Sequence, residues 1–465
     1  MISFRVIAAL AGLARFVNAQ SVSGAAEGFA QGVTGGGDAT PVYPADIDEL
    51  IELLGSDEPQ VIILSKTYDF LESEGTKTET GCAPYGTAAG CQLAIDGTGT
   101  WCGSNTAATV SYDVAATEGI EVKSNKTLIG EGSAGILKGK GLRMTNGVSN
   151  IIVQNIHITD LNPQYVWGGD AFTFAETDLI WIDHCTTSLL GRQHYVFGQK
   201  PSSRITLSNN FINGSTSWSA GCDGYHYWTI ELVGTEDQIT FQNNYVYHTS
   251  GRSPALSGST LFHAVNSVWS DNNGHAIEGD TNGQGLFEGC VFENVTTVVV
   301  DDFKGSLFSS SDSTTNAKCE SALGRACVEN VFSNSGAFDK SDTGFFSNFT
   351  GLSIASATAA SSAEKSVPSA AGFGKLTTSS TESTTDESSS SAVSKVSSAV
   401  SKSTAVPSKS TIIASKSTST LSQSTGVSKS TAGSSKSTVI ASKSTSTVSK
   451  STGVSKCKKR RAVQA

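Results

Sequence analysis

Several things are missing from this chain. No stretch approaches the roughly 18 to 20 consecutive apolar residues that a membrane-spanning helix needs, so the reading is of a protein with no membrane partner. No Cys-x-x-Cys pair occurs among the 9 cysteines, which argues against a zinc finger or a dithiol redox site. The glycine-rich stretches lack the strand-then-helix context of a nucleotide-binding loop, and no nucleic-acid-binding motif is present, so neither a cofactor nor a nucleic-acid partner is expected. The C-terminal quarter lacks almost everything a core requires, being Ser, Thr, Ala and Lys.

The chain opens Met1-Ile2-Ser3-Phe4-Arg5, runs apolar from Val6 to Leu13 and reaches Val17-Asn18-Ala19-Gln20. That order of charge, apolar run and small-residue site reads as a secretory signal peptide over residues 1–19, which implies a secreted, extracellular protein. Residues 1–352 hold 17 Lys and Arg against 38 Asp and Glu, whereas residues 353–465 hold 15 against 4. Two different physical objects are joined: an acidic body over residues 20–352, large enough for a substantial core, and a basic low-complexity tail over 353–465. In the tail Ser-Lys-Ser-Thr recurs from residues 401, 408, 415, 428, 435 and 442, the signature of a disordered stalk. Its basic end, Lys456 to Arg461 around Cys457, excludes a glycolipid-anchor signal and suits electrostatic contact with acidic wall polymers. A spacer with no partner fits that composition equally well.

In an exported protein these cysteines favour disulfides over metal sites. Sequons at Asn125, Asn213, Asn294 and Asn348 are compatible with glycosylation on the same route.

From about residue 120 the body repeats one theme, an apolar strand ending in Asn or Asp and a turn, at Asn125, Asn155, Asp183, Asn209, Asn243 and Asn266. The spacings of 30, 28, 26, 34 and 23 residues are those of stacked units, each unable to bury its own apolar face. The predicted fold is all-β: a single-stranded, right-handed parallel β-helix, with Asn amides bonding up a ladder and aliphatic side chains inside. A β-sandwich would require alternating strands every 8 to 12 residues or so. Asp46 to Leu54 has helical periodicity and is expected to cap the open N-terminal end of the stack.

Three charged residues stand out against this background: Asp170 in Val166-Trp-Gly-Gly-Asp170, Arg192 in Gly191-Arg-Gln-His194, and Arg252 in Ser250-Gly-Arg252. Their spacing puts them on neighbouring coils, and two cations with one acid suit an anion formed during reaction better than a divalent metal.

Together with Gly32-Val-Thr-Gly-Gly-Gly-Asp38, Gly81-Cys-Ala-Pro-Tyr-Gly86, Gly139-Lys-Gly-Leu-Arg143, Asn162-Pro-Gln-Tyr165, Trp181-Ile-Asp-His184 and His226-Tyr-Trp228, these segments resemble polysaccharide lyase family 1, the pectate lyase superfamily, and within it the fungal pectin lyases. The resemblance covers about residues 24–350. It implies endo cleavage of α-1,4 galacturonan by β-elimination: a base takes the proton at C5 and the O4 bond leaves. Arg252 matches the base of similar lyases, Arg192 would hold the carboxyl ester, and Asp170 would orient Arg192. An arginine base is awkward, since its aqueous pKa exceeds about 12; a dry cleft rich in cations would disfavour its charged form.

In calcium-dependent relatives two further carboxylates accompany the acid at Asp170; here the matching positions are Arg192 and Val196. That implies no metal, no cofactor, and methyl-esterified pectin as the substrate. Trp101, Trp167, Trp228, Tyr85, Tyr225 and Tyr227 flank these segments as candidate sugar-stacking faces. Trp181 reads as structural, as does His184, while His194, His226 and His248 read as supporting residues. The resemblance also implies the disulfides Cys82–Cys102, Cys91–Cys222 and Cys319–Cys327, leaving Cys185 and Cys290 as buried thiols. The alternatives are a calcium-dependent pectate lyase, a non-catalytic pectin-binding wall protein and, more remotely, a hydrolase built on Asp301-Asp302 and His275. A monomer is expected.

Overall fold

The computed structural model describes residues 21–96 and 99–376. The expected signal peptide, the Ser/Thr/Lys tail beyond residue 376 and Cys457 lie outside the described residues.

Three parallel sheets of 10, 9 and 6 strands wind into a right-handed β-helix, one strand of each sheet per coil through the central coils. The chain folds this way because equivalent positions on successive coils carry equivalent side chains. Ile62, Leu128, Val153, Ile182, Leu207, Phe241, Ala264 and Phe287 stand in register along the inner face of the ten-stranded sheet, all essentially inaccessible to water. Full burial of each of the larger side chains contributes about 1.5–3 kcal/mol and that of Ala264 less, so the stack is stabilised collectively. On the six-stranded sheet aromatic rings take over. Phe174 stacks on Phe197 at 4.4 Å and Phe172 on Tyr195 at 5.1 Å between ring centres.

The turns between the ten- and nine-stranded sheets carry the repeat seen in the sequence, with one shift. The stacked left-handed positions are Asn155, His184, Asn209, Asn243 and Asn266, with φ between 48° and 57°. Asp183 is one residue early, and Asn125 belongs to a different column, paired with Asn150 through an amide bond of 2.8 Å. Asparagine tolerates the left-handed region, which explains its recurrence there. The buried amide ladder is made by the next residue in each turn: Asn210 donates from its side chain to Asn244 Oδ1 at 3.0 Å, and Asn244 Nδ2 to the Leu207 carbonyl at 2.8 Å. Cys185 and Cys290 occupy this same part of the turn as buried free thiols.

The helix Ile47–Gly55 closes the N-terminal end, capped by Asp46 and burying Leu50 and Leu54. The residues after 352 do not leave the body where the composition changes. A helix, Ala360–Ala370, lays Ala360, Ala363 and Val367 on Val268 and Val291 of the nine-stranded sheet. Phe373 and Gly374 then donate backbone bonds to Thr186 and Asn155. The body therefore extends past the expected boundary at 352 to about residue 376. Small residues make this docking possible and also hid it, since Ala and Ser read as tail.

All three expected disulfides, Cys82–Cys102, Cys91–Cys222 and Cys319–Cys327, are formed. Of the sequons, Asn294 and Asn348 lie exposed, while Asn125 and Asn213 are half-buried.

One buried acid ties the coils together. Asp237, without solvent exposure, accepts from the Ser202 amide at 2.8 Å and the Thr260 hydroxyl at 3.2 Å. Burial pushes its carboxyl up from 3.8 to about 7. Its folded value lies above its unfolded one, so the fold favours the protonated acid. The stabilisation is complete below about pH 4 and is lost as pH rises through about 7. At about 1.4 kcal/mol per unit this amounts to about 4 kcal/mol. Asp237→Asn should flatten the stability profile between these limits in denaturant unfolding; profiles that run parallel in wild type and variant would rule Asp237 out as the cause.

Candidate active site

The loops entering the six-stranded sheet bring the sequence-derived residues to one groove. Asp170, Arg192 and Arg252 stand just ahead of the strands Phe172–Ala175, Tyr195–Phe197 and Ala255–Leu256. Between them, on the outward face of the sheet, Thr173, Val196, Glu231 and Ala255 stack in register. Val196 is thus flanked by a carboxylate on the next coil, a residue that no motif in the sequence pointed to.

Glu231 is the junction of the site. Its Oε2 accepts from Arg192 Nη2 at 2.9 Å, Arg252 Nη1 at 2.8 Å and Gln193 Nε2 at 2.6 Å. Asp170 is less tightly engaged than expected. Its Oδ2 lies 3.6 Å from Arg192 Nη1, and its Oδ1 accepts from the Gln193 amide at 2.8 Å. Burial raises the Asp170 carboxyl above its usual range, outweighing the opposite pull of Arg192 and the Gln193 N–H. Both acids hold Arg192, and Glu231 makes the shorter contact.

Arg252 has a second acid partner, Glu278, whose Oε1 is 3.4 Å from Nε. Burial works to raise the Glu278 carboxyl, but hydrogen bonds from His275 and Tyr227, with the charge of Arg252, hold it below its usual value. The cleft is therefore not cation-rich, contrary to the expectation from sequence: two guanidinium groups face three carboxylates. Arg252 itself sits at φ 48°, a strained conformation for a non-glycine residue and one that clusters at functional sites. Gly251 is required beside it, because a Cβ there would overlap the Tyr227 ring.

Aromatic side chains build the walls. Arg192 lies 3.9 Å over Trp167 and Arg252 4.8 Å over Trp228, with Tyr227 at 5.6 Å. Trp101 meets Trp167 edge-on at 6.2 Å, and Tyr85 joins the same cluster. Tyr225 does not: its ring stacks on His248 at 3.7 Å and its hydroxyl donates to Asp271, away from this cluster. Of the histidines, His226 has a clear structural task. Its Nε2 lies 2.7 Å from the Arg192 carbonyl and 2.9 Å from the Trp228 carbonyl. Carbonyls only accept, so Nε2 carries the proton, and burial lowers the ring's pKa. The groove comprises two hollows of about 490 and 360 Å³ that meet at Glu231 and Val233. The larger is acidic, with Glu278, Asp280 and Asp302, and the smaller is lined by Trp101 and Trp167.

A metal fits this arrangement poorly. Among the described residues no group of three or more His, Cys, Asp or Glu side chains is placed to hold one. A hard cation seeks about 6 to 8 oxygens, and the Glu231 oxygen facing the groove is already occupied by cationic donors.

A parallel β-helix with paired arginines and carboxylates in an aromatic groove is the architecture of a polysaccharide lyase. The pectate lyase family profile matches residues 3–376, and the chain belongs to that family. It is 62% identical over 363 residues to a probable pectin lyase C of Aspergillus niger, covering 78% of this chain and 97% of that one. It is 54% identical over 374 residues to pectin lyase B of Emericella nidulans, covering 80% and 98%. Among solved structures, a pectate lyase bound to a hexasaccharide superposes with a TM-score of 0.51 at 17% identity, over 76% of this chain and 97% of that one, a likeness of fold.

The two kinds of aromatic residue in the walls should separate experimentally. Trp228 is 8% exposed and donates from Nε1 to Gln92 Oε1 at 3.1 Å, so Trp228→Ala should cost about 3–5 kcal/mol of unfolding free energy. Half-buried Trp101→Ala should cost well under half of that. Equal losses in denaturant unfolding would mean that Trp101 is part of the core.

Proposed function

We propose that this protein is a secreted pectin lyase that cuts within methyl-esterified polygalacturonan by β-elimination. The observation that carries the reading is the pair of guanidinium groups, from the coils on either side of the one that carries Glu231, facing one aromatic groove with that carboxylate fixed between them. Such elimination must remove a weakly acidic C5 proton and stabilise the charge that builds on the neighbouring carboxyl group. Arg192 supplies fixed donors for that charge and Arg252 takes the proton. The Nη atoms that Glu231 holds fix both guanidinium groups at the groove. Asp170 supports Arg192. Trp101, Trp167 and Tyr227 present faces suited to a sugar chain whose carboxyls are esterified.

The charge balance supports an esterified polymer: free galacturonate would meet Asp170, Glu231 and Glu278, and no calcium bridge is available to offset the repulsion. Residues 1–19 serve export, the sequons can carry glycans, the protein acts as a monomer, and the basic tail lies along acidic wall polymers. The test is absorbance of the 4,5-unsaturated product from highly methylated pectin and from polygalacturonate, each with chelator and with added calcium. Product from pectin in chelator is expected; strict dependence on calcium with preference for polygalacturonate would overturn the reading. Arg252→Lys should lower turnover by at least about 100-fold with the unfolding midpoint unchanged; substantial residual turnover would remove Arg252 as the base.

A further inference from the structure

We infer that Glu231 is a positioning residue for this elimination: one carboxylate oxygen sets the separation of Arg192 and Arg252 and balances their charges. The inference rests on the pectin lyase reading above. Its observation is geometric. Three donors from two coils converge on Oε2, at 2.6, 2.8 and 2.9 Å, and the side chain is 18% exposed. Two guanidinium groups that share one partner repel each other; Asp170 and Glu278 each offset one of them, and Glu231 contacts both. Glu231 sits mid-strand in Ile230–Leu232, between Tyr195–Phe197 and Ala255–Leu256, so its own position is fixed by the ladder rather than by a loop. Gln193 adds a neutral donor that orients the carboxylate, and the same residue's backbone N–H holds Asp170. One short segment, Arg192-Gln193, thus connects both acids to the arginine clamp.

The consequence reaches the base. Arg252 Nη1 is held at 2.8 Å by a carboxylate anchored in the ladder, so Glu231 fixes where that guanidinium stands in the groove. Glu278, 3.4 Å from Arg252, is the second acid beside that group, and Asp170, 3.6 Å from Arg192, is the second beside the other. Glu231 is the one shared by both arginines.

The experiment is the measurement of kcat and KM separately on highly methylated pectin for wild type, E231Q and E231D, with unfolding midpoints as a control. E231Q keeps an acceptor but loses the charge. Its kcat should fall about 100-fold through misplacement of the arginines, with KM little changed. E231D keeps the charge on a shorter arm that cannot reach both arginines, so its kcat should fall as well, again with KM little changed. A loss carried by KM rather than kcat, or turnover within about threefold of wild type, overturns the role. Should E231Q fail to fold, E231D decides alone, and unimpaired turnover overturns it. Absence of unsaturated product from wild type would instead remove the pectin lyase reading itself.

Discussion

Vertical register is the constraint on which this molecule depends. Parallel strands lie about 4.8 Å apart, so whatever one coil carries at a position faces its counterpart on the next coil. Inside, that rule turns isolated aliphatic residues into continuous columns such as Ile182, Leu207 and Phe241. Outside, the same rule sets Val196 beside Glu231, and the loops that enter the strands flanking Glu231 carry Arg192 and Arg252 to either side of it. A residue inserted into one strand would shift an inner column outward and separate the charged groups at once. Fold and site therefore have one determinant, and insertions are tolerated only in the turns and loops.

The loops are where the functional side chains gather, and each is held by the ladder or by a disulfide. Cys91–Cys222 joins the loop carrying Gln92 to the loop carrying Trp228. Gln92 then accepts from Trp228 and donates to the Gly191 carbonyl next to Arg192. His226 closes the circuit through the backbone carbonyls of Arg192 and Trp228. Arg192 is thus fixed from behind by neutral hydrogen bonds and from the front by carboxylates, with little freedom left to lose when a polymer binds.

Much of this was legible in the sequence because turns leave sharp signatures. Asp170, Arg192 and Arg252 follow glycines in short polar segments between apolar strands; Asp170 and Arg192 lie on neighbouring coils as expected, whereas Arg252 stands two coils beyond Arg192, with the Glu231 coil between them. The capping helix was readable from periodicity, and the disulfides followed from resemblance. Glu231 was not readable, because an outward-facing residue in a three-residue strand looks like any solvated acid; only the register shows what it faces. Tyr225 misled for the opposite reason. It adjoins Tyr227 and Trp228 in sequence, yet its ring turns to His248. The Asn-Asn pairs at 209–210 and 243–244 hid a division of labour, the first residue taking the left-handed turn and the second making the buried ladder. Composition alone misplaced the end of the body, since Ala360 and Ala363 dock by being small rather than by being apolar in pattern.

Charge balance gives the site its chemical character. An arginine pair without acids would bind any polyanion and would favour the free galacturonate polymer. Here Asp170, Glu231 and Glu278 cancel that general attraction while both guanidinium groups still line the groove. What remains is directional hydrogen-bond capacity in a nearly neutral, aromatic setting, suited to a carbonyl that becomes charged only as the proton leaves. In a site that binds through a metal the carboxylates would be ligands; here they restrain the arginines.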